Sequence, residues 1–265
     1  MAACSHSPFF DPGLSTSPGK LALLALSRQN TIPALLRKPD PSDPTDEITN
    51  TRFGSFPHST LIDKQWGDQV VASKVEARDR RRGKKRKRPD KDSETESPLT
   101  GGGDEEESYQ DSPAFEAAAS GFAHVLPPTP ELWTASLPHR TQVVYPPDYT
   151  YILQRLHVRP GGTIIEAGAG SGSFTHAAAR AVFSGSTPNR SVGSVYSFEY
   201  HEPRYEELKQ EIHDHRLDEI VHITYRDVYE NGFILDDGRS PQADAIFLDL
   251  PAPWYVYKSS CCVQH

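Results

Sequence analysis

Cysteine is scarce in this 265-residue chain, and the three present make no framework. Cys261 and Cys262 are adjacent and Cys4 stands alone, a pattern of neither a disulfide scaffold nor a metal site. A reducing compartment and no metal are expected. Long apolar runs are also missing. No stretch approaches the roughly 20 residues of a membrane span, so no membrane partner is expected. The apolar run at residues 21–26 is too short and too late for a signal peptide. Packed core is limited as well, since 23 prolines and a mean hydropathy of −0.60 leave a good part of the chain outside any core. Net positive charge is absent: a formal charge of −8, spread evenly, would argue against nucleic acid. It is not spread evenly.

What is present centres on Thr163-Ile-Ile-Glu166-Ala-Gly168-Ala-Gly170-Ser-Gly172-Ser-Phe-Thr175. The β-branched start reads as a buried strand, three glycines follow at every second position, and residues 174–182 read as an Ala-rich helix. Strand, glycine turn and helix start form the ligand-cradling corner of a doubly wound α/β domain. Glycine is needed there because a Cβ would block close approach. The spacing is Glu-x-Gly-x-Gly-x-Gly, not the dinucleotide G-x-G-x-x-G, which disfavours a nicotinamide-linked dehydrogenase. An acid closing the strand repels a pyrophosphate but suits a ligand bearing an ammonium and a sulfonium. S-adenosylmethionine is such a ligand; a glycine-rich turn with no ligand is the bland alternative.

Residues 1–72 hold short apolar runs broken by Pro, Gly, Asn and Asp, and read as a small β-rich domain. Residues 73–120 change character. Ten basic residues between Lys74 and Arg88 precede an acidic, Ser-rich stretch with Gly101-Gly102-Gly103, and the whole reads as a disordered charged insertion. The run from Arg80 to Arg88 has the composition of a nuclear-import or RNA-tethering patch, with a solvated linker as the alternative. Order returns at Gly121, and a helix is expected over residues 148–156, capped by Asp148, with Ile152, Leu153 and Leu156 as its buried stripe.

Three more parallel strands are expected, at residues 193–199, 220–224 and 243–249. The first ends in Glu199, placed to accept from ribose hydroxyls, 27 residues beyond Gly172 because residues 184–191 are inserted. A charged amphipathic helix spans residues 202–215. Asp227 follows the third strand, in reach of an adenine amino group, and Asp249-Leu-Pro-Ala-Pro-Trp254 closes the fourth as a base-handling corner. A helix-capping Glu199, a turn-forming Asp227 and a strand-ending Asp249 are the structural alternatives.

Seven ordered motifs then carry a resemblance: Phe53-Gly-Ser-Phe-Pro-His58, His124-Val-Leu-Pro-Pro-Thr-Pro-Glu-Leu-Trp133, His139-Arg-Thr-Gln-Val-Val-Tyr145, the Glu166 glycine loop, Phe198-Glu-Tyr-His201, Arg226-Asp-Val228 and Phe247-Leu-Asp-Leu-Pro-Ala-Pro-Trp254. Together they resemble the catalytic subunit of the eukaryotic tRNA (adenine(58)-N1)-methyltransferase, in a fungal form. The resemblance implies a Rossmann-like class I methyltransferase fold over residues 121–254, preceded by the small β-rich domain. It implies S-adenosylmethionine as cofactor, tRNA as substrate, a nuclear location, and a heterotetramer with a related non-catalytic subunit. Gln142 and Val144 would lie against the cofactor, and Glu166, Gly168, Gly170, Ser171, Gly172 and Ser173 would cradle its methionine part. Glu199 would bind the ribose with Arg204 nearby, Asp227 and Val228 would contact the adenine, and Asp249 would be the catalytic acid/base. The motifs end at Trp254, so residues 255–265 read as an unrelated tail on a C-terminally incomplete domain. A product that binds the cofactor weakly at most is the alternative, and the fourth strand is expected at a sheet edge.

Overall fold

The structure is a computed structural model that describes residues 7–27, 30–38, 47–73, 121–137, 143–185 and 192–259. Residues 74–120, with the basic run Arg80 to Arg88, lie outside the described residues, as do Gln142 and the end of the tail at 260–265. Two sheets organise the rest.

The first contains β1 (Leu21–Ser27), β2 (Asn30–Leu35), β5 (Gln69–Val71) and β6 (Phe122–Leu126), antiparallel in the order β2-β1-β6-β5. Between β2 and β5 lie the hairpin β3 (Ile48–Thr51) and β4 (Gly54–Pro57) and the short helix α1 (His58–Leu61). Alternate residues Ala22, Leu24 and Leu26 turn inward with Val70, Ala123 and Val125 to form one core. β6 is therefore shared: residues beyond the charged insertion complete the sheet begun by the N-terminal strands. Val71 sits opposite Phe122, and the Ala72 N–H donates to the Gly121 carbonyl at 2.7 Å, so the chain leaves and re-enters this sheet at neighbouring points.

A lead-in follows, made of α2 (Pro130–Ser136) and α3 (Pro146–Arg155). Thr129 caps α2 by accepting the Leu132 N–H at 3.2 Å. Asp148 does not cap α3. The helix starts two residues earlier, with prolines at its first positions and Tyr145 as N-cap without a side-chain bond, because proline's fixed φ suits a helix start. Ile152, Leu153 and Leu156 are half-buried against the core, and the fully buried residue of this helix is Tyr149.

The second sheet is parallel, in the order β10-β7-β8-β9, from β7 (Thr163–Ala167), β8 (Ser194–Glu199), β9 (Val221–Tyr225) and β10 (Ala245–Leu248). The helices are α4 (Ser173–Val182), α5 (Glu202–Asp214), α6 (Val228–Asn231) and α7 (Trp254–Ser259). Strand alternation builds two cores, as expected for a parallel sheet covered on both faces. Ile164 and Val195 join α3, α4 and α5; Ile165, Ala167 and Phe198 join Val228, Phe233 and, from α7, Val256. Among the described residues β10 is an edge strand.

The two parts meet at a buried seam. Phe9 and Trp133 pack on the imidazoles of His176 and His215, and the Ser7 hydroxyl donates to the His215 carbonyl at 2.6 Å. The two imidazoles lie 2.8 Å apart, nitrogen to nitrogen, and Nδ1 of His176 lies 2.6 Å from the Gly172 carbonyl. A carbonyl only accepts, so His176 carries its proton on Nδ1 and Nε2 accepts from His215. Burial holds both imidazoles well below the usual histidine range.

Candidate cofactor and base-handling site

A cleft of about 680 Å³ opens beyond the carboxyl ends of the parallel strands, where a doubly wound sheet binds its ligands. Its floor is the glycine loop. Gly168 has φ +87°, and a Cβ there would lie 2.3 Å from the Asp249 carbonyl oxygen. Glycine thus lets the loop after β7 touch the loop after β10. Gly172, at φ +72°, is the N-cap of α4, and a Cβ there would lie 2.4 Å from a Leu208 methyl on α5.

Glu199, at the end of β8 and 6 % exposed, holds this loop. One carboxylate oxygen accepts the Gly170 N–H and the other the His201 N–H, each at 2.9 Å. A carboxylate offers about four acceptor positions, so each oxygen keeps one for a diol. Asp227 caps α6 by accepting the Tyr229 N–H at 2.8 Å and lines the cleft beside Val228. Asp249 is exposed just past β10; its N–H donates to the Ala167 carbonyl at 2.9 Å, and the residue lines the same space.

Gly168, Gly170, Ser171, Glu199, Arg204, Asp227, Val228 and Asp249, read from separate stretches of sequence, therefore share one cleft. Four other predicted residues stand behind it. Ser173 donates from its hydroxyl to the Val144 carbonyl at 2.5 Å, lashing the lead-in to the start of α4, and Gly172 shapes the turn. Glu166 is 1 % exposed, and one of its carboxylate oxygens accepts from Thr175 at 2.7 Å and Ser197 at 2.8 Å. It braces β7 to α4 and β8 from beneath the loop instead of facing the cleft. Burial pushes its carboxyl up to about 7 against the two hydroxyl donors, with Glu199 and Asp249 adding to the rise.

The cleft also contains residues to which the sequence reading gives no site role: Tyr200, His201 and Arg226, present in its motifs, and Tyr229, outside them. Their signal was adjacency to strand-ending acids. Arg226 reaches the exposed Asp236 at 3.4 Å, while its Nε is buried with no partner among the described residues. Also among the described residues, no group of His, Cys, Asp and Glu is arranged to hold a metal ion.

Comparison with known proteins places this geometry. Two solved structures share the fold. A SAM-dependent O-methyltransferase from Thermotoga maritima is 23 % identical at a TM-score of 0.60, over 96 % of this chain and 71 % of that one. A tRNA (m1A58) methyltransferase from Aquifex aeolicus is 17 % identical at 0.53, over 92 % and 70 %. Both support the Rossmann-like methyltransferase fold. Among curated sequences, the tRNA (adenine(58)-N(1))-methyltransferase catalytic subunit of Aspergillus fumigatus is 56 % identical over 95 % of this chain and 52 % of its own length. That of Aspergillus oryzae is 53 % identical over 96 % and 54 %. The chain spans about half the length of the curated relatives it matches. The model of the family described as tRNA methyltransferase complex GCD14 subunit matches residues 121–263, running past Trp254, where the sequence motifs end. By that match, and by the motifs gathered in the cleft, the chain belongs to the tRNA methyltransferase complex GCD14 subunit family.

Proposed function

We propose that this chain is the catalytic subunit of a tRNA (adenine(58)-N1)-methyltransferase, binding S-adenosylmethionine in the cleft and methylating N1 of adenosine 58 in the tRNA T-loop. The observation that carries the reading is the convergence of Glu199, Asp227 and Asp249 around the glycine loop. The names of the fungal relatives supply the nucleotide.

The residues fit the cofactor. A Cβ at Gly168 or Gly172 would fill the cradle or distort it, Glu199 keeps acceptor positions for a ribose diol, and the cleft volume suits a nucleoside-sized ligand. Asp227 and Val228 would meet the adenine, and Gly168, Gly170 and Ser171 the methionine part. When bound, S-adenosylmethionine supplies an electrophilic methyl group. The chain's own part is alignment and proton handling. Asp249, exposed on the cleft wall, accepts from the exocyclic amine of the target adenine, raises electron density at N1 and takes a proton afterwards. Most of the acceleration comes from holding N1 in line with the methyl group. N1 lies on the pairing edge, so the base must be extruded to reach Asp249.

The net charge of −8 supports a second subunit that helps grip the tRNA, and we assign the partner as a related non-catalytic subunit in a heterotetramer. The basic run Arg80 to Arg88 supports a nuclear location. Calorimetric titration with S-adenosylmethionine tests the reading. Micromolar binding, weakened about tenfold or more in Asp227→Ala, is expected. Absence of heat from the unmodified chain would overturn it.

A further inference from the structure

The charge pattern and the glycine loop explain how a ligand is held, but not how the Asp249 corner is held against it. That corner is Asp249-Leu-Pro-Ala-Pro253. Proline has no N–H, so Pro251 and Pro253 donate nothing and only Asp249, Leu250 and Ala252 have backbone donors. On the acceptor side the Ala252 and Pro253 carbonyls take the N–H groups of Tyr255 and Val256, which ties the corner only to the start of α7. The Asp249 N–H ties the front of the corner to the end of β7. The Ala252 N–H donates to the phenol oxygen of Tyr229 at 3.1 Å.

Tyr229 is the second residue after Asp227, and its own backbone N–H is the donor that Asp227 accepts at 2.8 Å. Its side chain is half-buried against the core cluster that contains Phe198, Phe233 and Val256, and the residue lines the cleft. One residue therefore bridges the two ends of the site. Its backbone fixes the carboxylate that faces the adenine end, and its phenol oxygen fixes the corner that bears Asp249.

We propose that Tyr229 is a positioning residue that couples occupation of the Asp227 end of the cleft to the placement of the Asp249 corner. The inference rests on the function proposed above. It assigns to Tyr229 no contact with the reacting atoms. With the ligand against Asp227, α6 is held; through the phenol oxygen the loop at Ala252 is held with it. The methyl acceptor then meets Asp249 only when the cofactor end is filled. Pro251 and Pro253 add to the effect, because a stiff corner transmits displacement that a flexible loop would absorb.

Tyr229→Phe removes the oxygen and keeps the ring in its core, and the whole 265-residue chain is used throughout. Two measurements are paired: calorimetric titration with S-adenosylhomocysteine, and amide hydrogen exchange at Ala252 with and without it. In the unmodified chain the ligand is expected to slow exchange at Ala252 about tenfold or more. In Tyr229→Phe the affinity should stay within about threefold, since the Asp227 cap is made by backbone, while the slowing at Ala252 disappears. Methyl transfer with the partner subunit and tRNA should then lose about tenfold or more in kcat with little change in KM for the cofactor. Ligand-slowed exchange that persists in Tyr229→Phe overturns the proposal and leaves the cofactor reading intact. A melting temperature, affinity and exchange that all collapse together also overturn it, because they make Tyr229 a scaffold residue. No binding to the unmodified chain overturns both, and calorimetry alone identifies that case.

Discussion

Gly168 is where the site is least tolerant of a single atom. Its backbone is left-handed and a Cβ would meet a carbonyl oxygen, which cannot swing aside as a side chain does. Gly168→Ala should destabilise the fold by about 2–4 kcal/mol and abolish calorimetric binding. A melting temperature within a degree or two of the unmodified chain would contradict this. Asp249 predicts a different pattern. It is exposed and no side-chain hydrogen bond holds it among the described residues, so Asp249→Asn should leave the melt and cofactor affinity nearly unchanged while methyl transfer falls about 10²-fold or more. These two residues were legible for different reasons. A glycine at a strand end signals its backbone need directly, and an acid before Leu-Pro-Ala-Pro has few structural duties. Glu166 was less legible. Sequence shows that an acid closes β7, but whether it points into the cleft or under it depends on strand register and on which hydroxyls wait there.

Elements in contact set the pH response. Glu166 joins β7 to α4 and β8 and is raised to about 7. The folded chain therefore binds a proton there that the unfolded chain has lost above about 4.5, so this stabilising contribution is present at low pH and fades as pH rises through about 7. His176 and His215 act oppositely. Lowered in the fold, they contribute stability above the ordinary histidine range that is lost as pH falls below about 6.5. Two histidines outweigh one carboxyl in the overlap, so thermal stability should climb toward about pH 6.5 and decline slightly by pH 8. Glu166→Gln should steepen the rise on the acid side and remove the decline above pH 6.5, because the Glu166 carboxyl opposes the histidines between about pH 4.5 and 7. A decline that survives the substitution would assign it to another group. The helix–strand alternation behind this arrangement was readable from periodicity, including all four parallel strands. The start of α3 was not placed correctly, because Pro146 and Pro147 outrank Asp148 as a start signal.

Across the whole molecule, the join between the two sheets is the part sequence could not show. Pairing of β6 between β1 and β5 spans the entire charged insertion, and no local pattern reports a partner so far away. The structure makes the insertion's ends neighbours through Val71 and Phe122. Replacing residues 74–120 by a short Gly/Ser turn should therefore preserve cofactor binding and raise stability by about 1–2 kcal/mol, from the smaller closure entropy alone. A loss of cooperative melting would mean that those residues contribute to the fold.

That hairpin mouth has a further meaning. A segment that departs and returns through adjacent rungs of a ladder is mechanically a side branch: pulling on it, lengthening it or rewriting its charges loads β5 and β6 locally and leaves the parallel sheet alone. The insertion and the cleft can then change independently, one on the branch and one on the trunk. Among the described residues the branch is tied back through the Ala72 N–H on the Gly121 carbonyl and the Ser73 N–H on the Ser55 carbonyl, both away from the parallel sheet.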